Sequence, residues 1–150
     1  MGPYSDHARL LSSHDANPPA PVWTHTESDW TFNHHVDSAV EVPTHVSIHE
    51  EYVSGASGPK RPVVQKFTSD TAVPDWRYHI ATDHYGSDPS DVAISDDGQV
   101  IVAMSYDTSG TFDPRIFVFG PDSPVPLSNT LVTTSGSPQK MLLSGNGSTL

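Results

Sequence analysis

Asp91-Val92-Ala93-Ile94-Ser95-Asp96-Asp97-Gly98-Gln99-Val100-Ile101-Val102-Ala103-Met104 is the stretch that decides the fold. Val92 and Ile94 alternate with polar or small residues, the period of two that marks a strand with one main buried face. Asp96-Asp97-Gly98 then supplies side-chain acceptors and a residue that tolerates positive φ, which a tight hairpin turn requires. The unbroken apolar run Val100 to Met104 predicts a return strand covered on both faces. A loop with Gly110 and Pro114 leads to a third strand at Ile116-Phe117-Val118-Phe119. Pro121, Pro124 and Pro126 bring the chain to a fourth strand near Asn129 to Thr134.

Working outward, this unit recurs. Sliding Ser38–Pro74 forward by 52 residues places it on Ser90–Pro126 without a gap, and Ser38, Val40, Ser57, Gly58, Pro62, Phe67, Asp70, Val73 and Pro74 meet identical residues. Chance gives roughly two or three such matches at this composition, so the period is an architectural signal. The pairs Val42 with Ile94, Ile48 with Val100 and Val64 with Ile116 fall in register as apolar exchanges. A third copy starts at Pro126, where Ser144-Gly145-Asn146-Gly147 repeats the spacing of Ser95-Asp96-Asp97-Gly98 after a three-residue deletion. Pro21-Val22-Trp23, Pro74-Asp75-Trp76 and Pro126-Leu127-Ser128 open successive units.

Four antiparallel strands repeated at this length satisfy the requirement of a propeller blade. The expected fold is all-β: β-propeller-like blades of four antiparallel strands, about 2.5 repeats of roughly 52 residues, in an incomplete ring. Residues 1–20 are a flexible lead-in, 21–73 blade one, 74–125 blade two and 126–150 a partial blade three. Helical solenoids need 3.6-periodic apolar stripes, which Pro and Gly interrupt throughout. A β-sandwich fits short strands and frequent turns but does not predict the repeat. Closed propellers use about four to eight blades, so this length gives an open arc.

Copy two, with Pro-x-Trp-x-Tyr at residues 74–78, Asp91 to Ala103, Ile116-Phe117-Val118-Phe119 and Ser123-Pro124-Val125-Pro126-Leu127, resembles WD-like and PQQ-like propeller repeats. That resemblance implies a tryptophan strand, a Ser-x-Asp-Gly hairpin and an aromatic-ended strand in each blade. The Gly-His and Trp-Asp dipeptides of WD repeats are absent, as is the Ala-x-Asp-x-x-Thr-Gly lead of quinoprotein dehydrogenases. Quinone binding is therefore not carried over, and no cofactor is implied. Copy one has Thr44-His45-Val46 in place of the Asp-Asp-Gly turn, and His49, Glu50 and Glu51 opposite Ile101, Val102 and Ala103. Such a polar set is expected of a capping repeat whose outer face is not fully covered.

Composition limits the partners. Eighteen acidic against seven basic residues give a formal charge of -11, which repels nucleic-acid phosphates and anionic membranes. Neither is an expected partner. The absence of cysteine excludes disulfides, thiolate catalysis and cysteine-ligated zinc and leaves the compartment open. No apolar targeting segment is read in residues 1–23.

Nine histidines raise a metal hypothesis, with His34, His35, His45 and His49 as the candidates. If Val46 and Ile48 face the core, His45 and His49 share the other face about 13 Å apart at roughly 3.3 Å per residue, too far to ligate one ion. His34 and His35, being adjacent, point to opposite faces. Solvated or hydrogen-bonded histidines are the expectation, and no metal is assigned. Asp83, Asp88, Asp91, Asp107 and Asp113 lack the spacing of a calcium loop and serve turns. Gly55-Ala56-Ser57-Gly58 departs from a nucleophile elbow because Pro59 takes the final glycine position. Asn146-Gly147-Ser148 matches the glycosylation pattern within a hairpin turn. No P-loop or Rossmann glycine pattern is present. Trp23 and Trp76 hold equivalent repeat positions and are assigned to packing, whereas Trp30, Tyr85 and Tyr106 are the surface recognition candidates.

The functional expectation is a non-catalytic recognition or scaffold module that binds a protein or ligand. Its partner is a protein, or another copy engaged through open blade edges. The alternative is an N-terminal fragment of a larger propeller-bearing hydrolase or oxidoreductase whose catalytic residues lie outside this chain.

Overall fold

Turn chemistry and period-two alternation produce an all-β architecture. The structure, a computed structural model, describes residues 8–9, 24–25, 35–52, 60–68, 73–80, 87–107, 113–133 and 140–150. β1 (Ala8–Arg9) pairs with β2 (Thr24–His25). β3 (His35–Ser38), β4 (Thr44–Tyr52), β5 (Lys60–Thr68) and β6 (Trp76–His79) form one antiparallel sheet in chain order. β7 (Ser87–Ile94), β8 (Ile101–Asp107), β9 (Pro114–Phe119) and β10 (Ser128–Leu131) form a second of the same order. There is no helix among the described residues. The four strands read from copy two are all present.

The sheets pack face to face. Val46, Ile48, Val64 and Trp76 of the first meet Val92, Ile94, Ile101, Ala103, Phe117 and Phe119 of the second. Trp76 lies against Phe119 with ring centroids 5.5 Å apart, Tyr78 meets the same ring edge-on at 5.3 Å, and Trp76 Nε1 donates to Pro121 O at 3.1 Å. The other face of the second sheet sends Val102 and Met104 against Met141, flanked by Val100, Ile116, Val118 and Leu143. The apolar run 100–104 is thus covered on both faces because alternate residues serve two interfaces. Each fully buried side chain of this size contributes about 1.5–3 kcal/mol.

The period is not uniform. Val63↔His79 and Arg115↔Leu131 correspond at a step of 52, so β5–β6 and β9–β10 share one register. The first hairpins do not: Ser38↔His45 corresponds to Ile94↔Ile101, a step of 56. The gapless shift therefore fails across β3 and β4. Val40, aligned by sequence with buried Val92, lies in a turn and is 79% exposed. Thr44-His45-Val46 opens β4, and copy one turns instead at residues 39–43. The counterpart of Ile101 is His45, not His49. Nor is the outer face of the first sheet uncovered, since His45, Ser47, His49 and Gln65 are buried. Sheet boundaries also fall one strand later than the sequence units, with β6 closing the first sheet and β10 the second.

The tight turns stack along one end. Glu41 N–H donates to Asp96 O at 2.8 Å, and Asp96 N–H donates to Gly145 O at 2.8 Å. Within the second turn, Asp97 Oδ1 accepts from Ser95 Oγ at 2.6 Å and from Gln99 N–H at 3.0 Å, while Val100 N–H donates to Ser95 Oγ at 3.0 Å. These two donors hold the exposed Asp97 carboxyl below its ordinary pKa, the Ser95 hydroxyl more than the backbone. Ser144, Asn146, Ser148 and Thr149 reproduce the pattern in the third turn. Side-chain bonds cross between repeats as well: Asp37 Oδ2 accepts from Ile94 N–H at 2.9 Å, and Asp91 Oδ2 from Met141 N–H at 2.7 Å.

Gly98 has φ 73° and a Cβ there would lie 2.7 Å from Val42 Cγ2; Gly147 has φ 69° and the same separation from Val100 Cγ2. Both glycines answer a conformational and a packing demand at once. Gly98→Ala is expected to lower stability by about 2 kcal/mol or more in urea unfolding. Adding Val42→Ala recovers only the contact part of that loss. Gly120→Ala, whose Cβ would sit 3.8 Å from Leu127 Cδ1, is expected to leave the midpoint near wild type.

Candidate functional site

Opposite the stacked turns, two polar clusters interrupt the packing. On β4 the core-facing parity runs Val46, Ile48, Glu50, so a carboxyl occupies the position where an apolar residue would continue the pattern. Glu50 is only 5% exposed and lies across from Pro62 of β5. Lys60 Nζ approaches Glu50 Oε2 at 3.4 Å and sits 5.5 Å from the centre of the Tyr52 ring. From the second sheet, Asp88 of β7 adds to the upward push on the Glu50 carboxyl. Tyr106 of β8 stands directly opposite Asp88 in the strand register. A register shift between Pro89 and Asp91 separates Asp88 from the regular part of β7, as a bulge does when it re-aims a side chain.

A buried carboxyl beside a second carboxyl resists ionisation, because burial and a like charge both disfavour the charged form. Burial first, and then Asp88, push the Glu50 carboxyl up to about 7, with Lys60 pulling the other way. Burial, and then the charge of Asp88, likewise raise the Tyr106 phenol.

The second cluster lies on the outer face of the first sheet, where His45, Ser47, His49 and Glu51 alternate with the core residues of β4. His45 stacks on Phe67, its cross-strand partner, with centroids 5.1 Å apart. Burial holds the His45 imidazole below its ordinary pKa, partly offset by Asp75. Glu51 gathers the charges: His49 Nε2 lies 3.1 Å from Oε1, Arg77 donates to the same oxygen, and His79 Nδ1 is 3.9 Å from Oε2. Burial, and then Arg61, Arg77 and His49, lower the pKa of His79. Glu51 thereby joins β4 to β6 across the intervening β5.

The structure separates the histidine candidates. His35 of β3 is partly exposed, with Nδ1 3.7 Å from Asp91 Oδ1, and lies opposite Ile48, whose face is the core face. His45 and His49 are on the other face and buried rather than solvated. His34 lies outside the described residues. Among the described residues no three His, Cys, Asp or Glu side chains converge on a metal position. Of the recognition candidates, Trp30 and Tyr85 lie outside the described residues, and Tyr106 is half-buried against Asp88 rather than free on the surface.

The Glu50–Asp88 pair was missed in the sequence because the uniform 52-residue shift set Glu50 against Val102 and made it an edge feature. Strand parity from Ile48 was the signal that could have found it. Comparison with family models, curated proteins and solved structures gives no match.

Glu51→Gln leaves Arg77 and His49 without their shared anion, and a loss of about 1–3 kcal/mol in urea unfolding is expected. Zinc or calcium added after chelation is expected to leave the thermal midpoint unchanged, because the described ligand-type side chains do not converge.

Proposed function

We propose that the chain is an arc of β-propeller blades, built on sequence units of about residues 21–73, 74–125 and 126–150 whose sheets close one strand later, that acts as a recognition or scaffold module. One observation supports this most: contacts of the same kind join the first sheet to the second and the second sheet to the third turn. A backbone bond between turns, an aspartate bond to the next sheet's or turn's N–H and a valine against a positive-φ glycine occur at both, from neighbouring and not identical positions of the turn. An interface that regenerates its own acceptor is the unit of a repeat architecture. The WD-like and PQQ-like resemblance of copy two agrees with this reading, and no cofactor is required by it.

The module engages protein, either another chain or a second copy, through its open outer strands. Every residue of β10 is exposed, Leu131 among them, and Val125 and Leu127 add apolar surface beside it. Val132 N–H donates to Pro114 O, so antiparallel alternation turns the N–H groups of Asn129 and Leu131 to the open side. Those donors form a template for an added strand. The formal charge of -11 disfavours nucleic acid and anionic membrane as partners.

Sedimentation at rising concentration tests the edge. Wild type is expected to gain mass above that of one chain, and Leu131→Pro, which removes an edge donor and no ladder bond, is expected to return it to monomer without a large change in thermal midpoint. A wild type that stays monomeric throughout removes self-pairing from the reading.

A further inference from the structure

We propose that β10 is a dimerisation strand that pairs antiparallel with β10 of a second copy, about a two-fold axis at Thr130, so that two four-stranded sheets join edge to edge. This rests on the reading of β10 as an open edge and adds to it the partner, the symmetry and the register.

Edge strands ordinarily carry charges that discourage pairing with another chain. Three edge strands of the two four-stranded sheets do so: β3 bears His35 and Asp37, β6 bears Arg77 and His79, and β7 bears Asp88 and Asp91. The fourth, β10, reads Ser128-Asn129-Thr130-Leu131, bears no ionisable side chain and is exposed throughout. The neutral stretch is longer than the strand, since no charged residue occurs from Ser123 to Gln139. In a chain of formal charge -11 most of the surface repels a second copy, whereas two β10 edges meet without opposing like charges.

The register follows from the backbone. Thr130 pairs with Ile116, and Val132 N–H donates to Pro114 O at 2.9 Å, which turns the even-numbered residues toward β9 and the N–H and C=O groups of Asn129 and Leu131 outward. These two residues flank Thr130 symmetrically. A two-fold axis there sets Asn129 of each copy against Leu131 of the other, and each outward N–H then meets a facing carbonyl. Thr130 faces its own copy as the non-hydrogen-bonded pair, a favourable cross-strand match. The two Leu131 side chains, each 52% exposed in the single chain, lie diagonally across the axis within reach of one another. Arg115 Nη1 donates to Asn129 Oδ1 at 3.0 Å, which draws the Asn129 side chain back over β9 and away from the seam.

Sedimentation of the full chain carrying Thr130→Lys or Thr130→Glu, alone and mixed, tests this. Each variant alone is expected to run as a monomer, because its own charges meet on the axis, and an equimolar mixture is expected to restore the mass of two chains. Thr130 is exposed, so both variants are expected to keep the wild-type thermal midpoint. Oxidative crosslinking reads the register directly, since the chain has no cysteine of its own. Thr130→Cys sets two thiols on residues whose Cβ atoms lie about 4.5–5.5 Å apart, whereas in Ser128→Cys they are about 13 Å apart along the strands. Thr130→Cys is expected to give about tenfold more disulfide-linked dimer than Ser128→Cys at equal concentration. Equal crosslinking, or a Lys and Glu mixture that stays monomeric while wild type associates and Leu131→Pro does not, overturns the two-fold register and leaves the open edge standing. Mass that grows beyond two chains with concentration also overturns it, because β10 is then joining a different edge. A wild type that is monomeric throughout overturns the dimer together with self-pairing.

Discussion

The backbone hydrogen bond that passes from one tight turn to the next constrains everything else in this structure. Glu41 gives its N–H to Asp96, and Asp96 gives its own to Gly145, so the turn of the second sheet is at once acceptor and donor. A turn can do both only if its remaining groups are satisfied internally. Ser95 and Asp97 do this in the second turn, and Ser144 and Asn146 in the third. The glycines at positive φ let the neighbouring valine approach closely enough for the bond to form. With the turns fixed at one end, the sheets are held at a separation that buries Phe117 and Phe119 completely between them.

The two ends of the sheets are therefore held by different physics. At the turn end, neutral backbone bonds and apolar contacts dominate, and neither depends on protonation. At the other end, Glu50, Asp88, Lys60 and Tyr106 bring ionisable groups of both sheets together, while Glu51 ties β4 to β6 on the far face. Removing one member of a buried charged network costs more than the network contributes, because the remaining partner is left desolvated. Polar groups here set which side chains meet, and apolar burial supplies the driving force.

The fold was legible where local signals agreed. Alternation at Val92 and Ile94, the Asp-Asp-Gly turn and the apolar run to Met104 gave strands, turn and double-sided burial together. The third turn was legible because its Ser-x-Asn-Gly spacing demands the same internal bonds. The first sheet was misregistered because identities concentrated near Pro62, Phe67 and Pro74 fix the last two strands and say nothing about β3 and β4. Its turn, Ala39 to Pro43, carries no Asp-Gly marker and satisfies itself through backbone bonds such as Ala39 N–H to Thr44 O. The candidate site was less legible than the fold. It draws on residues from both sheets, Glu50 and Asp88, and no linear spacing records that proximity.

The unequal steps between repeats have a consequence of their own. The sheets hold one register in their last two strands and differ by four residues in their first two, and the excess is taken up as two further rungs on the β4–β5 ladder, which runs from His45↔Phe67 to Tyr52↔Lys60 where β8–β9 runs from Ile101↔Phe119 to Tyr106↔Pro114. Those further rungs lie at the end away from the stacked turns. Variation in length is thus decoupled from the spacing of the packed sheets. A chain organised this way can lengthen its sheets at one end while preserving its pitch at the other.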